Sequence, residues 1–393
     1  MALGALIGAY VEDDSGALRA LLPLAGRTLV EYQVRCAVAA GAAPVIVMVE
    51  RVPQALQDAF ERLRLEGLSV FPVSDVHEAV SRFEAGSSIL VIGDGIAPPA
   101  SLVAQIAEEE EATVAVLPDD EPHEKFERID NASRWAGVAL IDSALLSSTA
   151  RMLGDWDLQS TLLRRAIQEG ALRVPISGGA EPLLAERAEQ LADFQRGLLA
   201  GSKVERDDAA SRYLLPPVED FATERLLDTP LRPEWLMWGA VAFSVAAAIS
   251  FTQGWLGVGL GLMLLAAPLD LIAARLASIR LRPLAARSLA KRALWPLAGL
   301  ALLAIGWWQW GHGTGWGAMV TAVSAAAFAQ AAALERPAKG GEWDLWLFSR
   351  RNATFLAVPF ALLGAWTAFL LVLLAYAGGT FFLVQRLRRI VPS

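Results

Sequence analysis

Two carboxylates in this 393-residue chain stand where metal-assisted phosphate chemistry could be done. Asp94 follows the apolar run of "SILVIGDG", and Asp270 lies in "APLDLIAARLASIRLRPLAARSLAKR", residues 267 to 292, an apolar segment that ends among six basic residues. Mg²⁺ is held by one or two carboxylates together with water and substrate phosphates, so each Asp is a candidate metal ligand. Phosphates also need N–H donors and positive charge. The loop "GAYVEDDSGALR" supplies Gly8, Ser15, Gly16 and Arg19 as nucleotide-binding candidates. Arg275, Arg280, Arg282 and Arg351 are candidates for a pocket that takes a phosphate or an anionic head group. Each has a plainer reading. A Gly-Asp pair after a strand is a common turn, Arg beside an apolar segment sets topology, and a carboxylate near a membrane interface survives by pairing with Arg275 or a neighbouring Arg.

Asp94 has to be positioned by a sheet. From Ala5 to about Ser177, the runs "ALIGAYV", "PVIVMVE", "SVFPVS", "SILVIGDG" and "ATVAVLP" alternate with amphipathic segments such as "LVEYQVRCAVAAG" and "PQALQDAFERLRLEG". That alternation predicts a mostly parallel sheet with helices on both faces, and ligands outside the carboxyl ends of the first and fourth strands. Asp130, Asp142, Asp155 and Asp157 are the carboxylates from which a second ligand would come. His77 and His123 lie in charged surroundings with no nucleophile at a readable spacing, and are read as surface residues. Residues 181 to 201 have helical apolar spacing, as an amphipathic connector or as a solvated helix packed on the first domain.

Asp270 has to be positioned by membrane helices. A bilayer core about 30 Å thick needs about 20 apolar residues per helix. Candidate spans are 235–252, 255–274, 293–311, 314–334 and the run 353–385, read as two short spans broken at Gly364 or at Gly378 and Gly379. The loops near Thr252 and His312 carry no Lys or Arg, whereas Arg275 to Arg292, Arg350 and Arg351, and the tail Arg386, Arg388 and Arg389 are basic. Positive-inside logic then puts both termini in the cytosol with six spans. No secretory signal opens the chain, which agrees with a cytosolic first half. The net charge of −8 is carried by that first half while the second is basic, so the net value says little about nucleic acid; no nucleic-acid partner is expected. The lone Cys36 excludes an intramolecular disulfide framework and a multi-Cys zinc site.

Two family resemblances follow from these residues. The stretch around Asp270 resembles the CDP-alcohol phosphotransferase signature D-x-x-D-G-x-x-A-R…G…D…D, with Asp270, Ala274 and Arg275 on the second Asp and the Ala-Arg pair. Thr229 and Pro233 resemble the residues that open the first span in that family, and "SRRNATF", with Arg351, resembles the opening of its fifth. "LRALLPLAGRTLVEYQVRCAVAAGAAPVIVMV" resembles sugar-phosphate nucleotidyltransferases, best from Leu21 to Tyr32, with Gly93 and Asp94 on the pair that holds Mg²⁺ there. The order of the two halves resembles fused inositol-1-phosphate cytidylyltransferases and CDP-alcohol phosphotransferases. The resemblance implies an α/β nucleotidyltransferase-like domain (GT-A or Rossmann-like, three layers) at 1–178. After it come a connector with juxtamembrane helices at 179–234 and an all-α six-span membrane domain at 235–393.

The departures bear on activity. Ala267, Leu271, Leu284, Ser288 and Arg292 stand where the phosphotransferase signature has Asp, Gly, Gly, Asp and Asp. One Asp cannot hold the two metal ions that such a site clamps about 4 Å apart. In the first loop Glu12, Asp13 and Asp14 replace the family's Gly and Arg positions, and acids facing a triphosphate oppose its binding. The expectation is a divergent inner-membrane protein of inositol-phosphate-type lipid head-group biosynthesis. It acts as a non-catalytic partner or regulator and meets membrane lipids and a second copy or an active paralogue through its spans. The alternative is an active nucleotidyltransferase that binds nucleotide with Mg²⁺ and uses Asp94, Arg19 and a further carboxylate. A transporter or lipid-binding module is a third reading.

Overall fold

A computed structural model of the chain describes residues 2–154, 156–176, 181–202, 206–282, 288–335 and 342–390, with side chains to 386. Asp155, Leu284 and Arg287 lie outside the described residues, as do the side chains of Arg388 and Arg389. The chain divides into two compact units, Met1–Gly201 with Asp228–Pro230 and Ile279–Arg282, and Ser202–Leu227 with Leu231–Ser278 and Pro283–Ser393.

The first unit runs β1 (Leu3–Gly8), β2 (Pro23–Leu24), β3 (Arg27–Thr28), α1 (Leu29–Ala39), β4 (Val45–Met48), α2 (Gln54–Leu65), β5 (Val70–Val73), α3 (Val76–Ser81) and β6 (Ser88–Ile92). It continues through β7 (Ile96–Ala97), α4 (Ala100–Ala107), β8 (Thr113–Pro118), β9 (Ser133–Asp142), α5 (Ser143–Ala150), α6 (Leu158–Gln168), β10 (Leu172–Pro175), β11 (Leu183–Leu184) and α7 (Ala188–Gly201). Seven strands form one sheet in the order β10-β8-β9-β6-β1-β4-β5. All its pairings are parallel except those of β9, which runs against both β6 and β8. Alternation splits the buried side chains between two faces. Leu6, Ile46, Ile89, Val91 and Val114 pack with residues of α3, α5 and α6, while Ala5, Ile7, Val45, Val47, Leu90 and Ile92 point the other way, fully buried.

The five apolar runs are strands, as expected. Two further strands of the seven-stranded sheet escape the sequence reading for separate reasons, as do the two-residue strands β2, β3, β7 and β11. β9 carries Gly137 at φ +81 in its middle, which interrupts an alternating pattern. β10 is a four-residue edge strand whose side chains are mostly exposed, so it has no apolar signature.

The second unit contains α8 (Pro216–Leu227), α9 (Pro233–Thr252), α10 (Leu256–Ile279), α11 (Leu289–Gln309), α12 (Trp316–Glu335), α13 (Arg350–Leu362) and α14 (Trp366–Ile390). Five described helices are long and apolar enough to cross a membrane: α9, α10, α11 extended to Thr314, α12 and α14. The expected sixth span is α13, and its 13 residues reach only about 20 Å at 1.5 Å per residue, short of a bilayer core. The run 353–385 does break at Gly364, whose φ of +66 suits a turn that a side chain would strain, whereas Gly378 and Gly379 lie inside α14. Ala318, Ala322, Ala325, Ala329 and Ala332 recur at helical spacing on the buried face of α12. That small-residue face lets α12 pack closely on α11 and α14 within the chain.

Candidate functional site

The carboxyl ends of β1 and β6 meet at a cavity of about 290 Å³ in the first unit. Its wall includes Tyr10, Asp94, Lys125, Glu127, Asp157 and Gln159. Asp94 is buried, and its Oδ2 accepts hydrogen bonds from the backbone N–H of Tyr10 at 2.6 Å and of Val11 at 2.8 Å. Oδ1 is also buried and accepts no hydrogen bond of good geometry among the described residues, the Gly95 N–H acting on the carboxylate only electrostatically. Burial raises the Asp94 carboxyl above the usual carboxylate range, against the lowering effect of the Val11 and Tyr10 N–H groups and of Arg19. Asp94 is therefore both the tie between two strand ends and an acceptor with one oxygen free for a ligand.

Gln159 fixes that geometry. Its Oε1 accepts from the Asp94 N–H at 3.1 Å, and its Nε2 donates to Ile92 O at 3.1 Å. Gly8 makes room for it: a Cβ there would meet Gln159 Nε2 at 2.6 Å. The glycine is required by the amide packed on it. Gly8→Ala is expected to displace Gln159 and orphan both buried bonds, at a cost of about 2 kcal/mol read from thermal unfolding. Tyr10 donates its hydroxyl to Asp157 Oδ1 at 2.8 Å, and Asp157 Oδ2 caps α6 by accepting from Ser160 N at 2.7 Å. Glu127 accepts from Ser160 Oγ at 3.0 Å, and burial pushes its carboxyl up.

The first loop is closed on itself. Asp13 Oδ1 accepts from Ser15 N at 2.8 Å, Ser15 Oγ at 2.6 Å and Ala17 N at 3.0 Å, and these bonds, the Ser15 hydroxyl's first, hold its carboxyl below the usual range. Gly16 N donates to Asp13 O at 3.0 Å and Asp13 N to Ala17 O at 2.7 Å. The other two acids have cationic partners: Glu12 with Arg51 at 2.7 Å and Asp14 with Arg187 at 3.0 Å. Arg19 reaches Glu186 at 3.8 Å, which also pairs with Lys125. Among the nucleotide-binding candidates, then, Ser15 and Gly16 spend their N–H groups inside the loop, Gly8 serves packing, and Arg19 lies close enough to Asp94 to act on its charge.

Of the carboxylates proposed for a second ligand, Asp157 lines the cavity with Asp94. Asp130 instead locks a turn through Ala132, Ser133 and Arg173, which push it down to about 2. Asp142 is exposed at the end of β9. Lys125, Glu127 and Gln159 were not found from the sequence, because a loop after β8 and the first turn of α6 bring them in with no motif spacing to mark them, whereas Tyr10 lies in the quoted first loop and was not singled out there. His77 is exposed as expected. His123 is not a surface residue: it is 8% exposed, with Asp120 Oδ1 at 2.5 Å from Nδ1 and Glu181 at 3.5 Å from Nε2. Among the described residues no three His, Cys, Asp or Glu side chains converge as a metal cage.

In the second unit Asp270 is held by arginines, though not by Arg275. Its Oδ2 accepts from Arg350 at 2.8 Å and Arg351 at 2.6 Å, and Arg351 also reaches Asp208 Oδ2 at 2.7 Å and Ala267 O at 3.2 Å. Arg275 bonds Glu219 at 3.2 Å, Asp220 and Ser202 at 3.1 Å. Arg280 and Arg282 group with the first unit, where Arg280 donates to the carbonyls of Ala25 and Thr229 and Arg282 pairs with Glu66 at 3.4 Å. Each of the four arginines considered for an anion pocket thus has a carboxylate or carbonyl partner within its own unit.

A family model described as the MobA-like NTP transferase domain matches residues 15–199. Among solved structures, a protein assigned as a glucose-1-phosphate thymidylyltransferase, from Bacillus anthracis in complex with a sucrose, is similar at 15% identity and TM-score 0.40, over 50% of this chain and 94% of that one. No curated protein matches. The first unit is thus a nucleotidyltransferase-like α/β domain, followed by a helical region with five apolar candidate spans. The family match ends at residue 199, so the likeness of the helical half to CDP-alcohol phosphotransferases rests on the quoted residues alone.

Proposed function

We propose that the chain is a divergent multi-pass inner-membrane protein of phospholipid head-group biosynthesis, of the inositol-phosphate type, and that it acts as a non-catalytic partner or regulator of an active paralogue. The observation that carries this reading is the self-satisfied first loop. A phosphate cradle offers backbone N–H groups to the ligand, and here the Asp13 carboxylate already occupies those of Ser15 and Ala17. The two arginines on Asp270 Oδ2 support the same reading for the helical half, while its buried Oδ1 accepts no hydrogen bond among the described residues. Cytosolic placement of the first domain and of the C-terminus is what the basic loops favour, and it requires an even number of crossings, so the 13-residue α13 would have to cross together with residues beyond its helical ends.

A second reading, an active nucleotidyltransferase, is favoured by the unpartnered Asp94 Oδ1. Asp94 would hold Mg²⁺ there, and the ion would neutralise nucleotide phosphates. Calorimetry of the full chain in detergent with CTP, with and without Mg²⁺, separates the two. The partner reading expects no binding tighter than about 1 mM, roughly 4 kcal/mol, together with co-purification of a second membrane protein that persists in Asp94→Ala. Magnesium-dependent binding below that concentration, abolished by Asp94→Ala, would make the chain an enzyme.

Asp94→Asn provides an independent check. A raised carboxyl favours the protonated form in the folded state, so Asp94 opposes folding above its unfolded pKa and less so as pH falls. Asp94→Asn keeps an acceptor for Tyr10 and Val11 and removes the charge. Its melting point is expected above that of the parent at pH 7, with the difference shrinking towards pH 4, as measured by scanning calorimetry.

A further inference from the structure

The helical unit encloses a second cavity, of about 390 Å³, between α9, α10, α11, α12, α13 and α14. It exists because small side chains such as Ala298, Ala301, Ala329 and Ala357 face one another between the aromatic pillars Phe251 and Trp366. Its volume falls in the range of small-molecule sites. Only Arg350, Gln330, Thr354 and two indoles bring nitrogen or oxygen to its wall, and the Thr354 hydroxyl is already donated to Arg350 O at 2.9 Å. A wall so largely apolar favours an apolar group over water, and left empty the space costs stability, so an occupant mostly apolar, with at most one polar end at Arg350, fits it.

Two wall residues say where that occupant comes from. Leu300 on α11 is 52% exposed and Gln330 on α12 is exposed, so the cavity opens at the outer face between these two helices. Both helices are candidate spans, and in a bilayer that face meets hydrocarbon. At the wall stands Arg350, whose side chain is 9% exposed and whose Nη2 donates to Asp270. Arg350 and Arg351 are matched in charge by Asp270 and Asp208. The cluster is neutral, so its remaining donors suit an uncharged acceptor as well as an anion.

We infer that this cavity binds one acyl chain of a membrane lipid, admitted between α11 and α12, with Arg350 donating a hydrogen bond to an acceptor oxygen at the polar end of the chain. This inference rests on the spans lying in a bilayer and is independent of whether the first domain binds nucleotide.

Native mass spectrometry of the full chain in detergent tests it with three probes: methyl oleate, oleate and octadecene. One methyl oleate per chain is expected, oleate within about threefold of it, and octadecene at least tenfold weaker. Ala329→Phe fills the cavity and should abolish the bound chain, with helix content by circular dichroism showing that the variant folds; Ala298→Leu is the milder alternative if it does not. Arg350→Gln should bring methyl oleate down to the level of octadecene. Equal binding of octadecene and methyl oleate, or undiminished binding in both cavity-filling variants, overturns the proposal. So does a dimer that carries no probe, because a second copy would then cover the α11–α12 face.

Discussion

Replacing Glu31 by Ala is expected to destabilise the first unit by about 3 kcal/mol at pH 7. Glu31 is fully buried, and its two oxygens accept from Arg62 at 3.1 and 2.9 Å and from Thr28 N at 3.1 Å, with Arg35 at 3.7 Å. Arg62 is partly solvated, which places the loss at the low end of what breaking a buried pair costs. Burial alone would raise the Glu31 carboxyl; the hydrogen bond from Arg62 and the charges of Arg35 and Arg62 outweigh it and hold the group below the usual range. A depressed folded pKa contributes stability that is complete above the unfolded value, about 4.3, and is lost as pH falls through the folded one. The gap in melting point between parent and Glu31→Ala should therefore be full at pH 7 and close in acid below about pH 4. A loss under about 1 kcal/mol would mean that the cluster behaves as a surface ion pair. Glu31 lies in the stretch from Leu21 to Tyr32 that carries the nucleotidyltransferase resemblance, and its work there is structural: with Thr28 it sets the start of α1. From that helix Gln33 Nε2 donates to Gly93 O at 3.0 Å and to Ile96 O at 2.7 Å, either side of Asp94.

That helix start also explains what could be read from residue order. The parallel strands are buried on both faces and appear as continuous apolar runs, so five of them and the position of Asp94 at a strand end are visible without coordinates. Chemistry added from elsewhere is not. Glu127 and Lys125 precede β9, an antiparallel strand broken by Gly137, and Gln159 comes from the first turn of α6. The acidic loop shows the opposite limit. Its composition predicts repulsion of a phosphate, whereas the coordinates show each acid already neutralised or bonded, so the obstacle to a ligand is occupied donors more than bare charge. In the helical half, hydropathy locates five helices long and apolar enough to cross a membrane, because bilayer thickness imposes length, and it does not foresee how short α13 is, because composition alone does not reveal where a helix starts.

Arg351→Met is expected to cost about 3–5 kcal/mol, because one guanidinium holds two carboxylates in a nearly dry site. The Arg351 side chain is 14% exposed, Asp270 16% and Asp208 3%, so solvent can do little for whichever acid loses its partner. The losses are unequal. Asp270 keeps Arg350 as a bonded partner, whereas among the described residues Asp208 keeps the Ser211 N–H at 2.8 Å on its other oxygen and the more distant charge of Arg350. Asp208→Asn should consequently be harmful in the parent and restorative in Arg351→Met, while Asp270→Asn should restore less. Melting points of the three single and two double variants in detergent measure this directly, and additive effects would mean that the charges do not interact. The same series bears on the phosphotransferase resemblance. A carboxylate poised for Mg²⁺ gains stability when the ion is added, as any ligand of the folded state confers. Asp270 has two cations on Oδ2, and although its Oδ1 accepts no hydrogen bond among the described residues, both guanidiniums repel a metal ion there, so millimolar Mg²⁺ should leave the parent melting point where it was, and only removal of both Arg350 and Arg351 should make it respond.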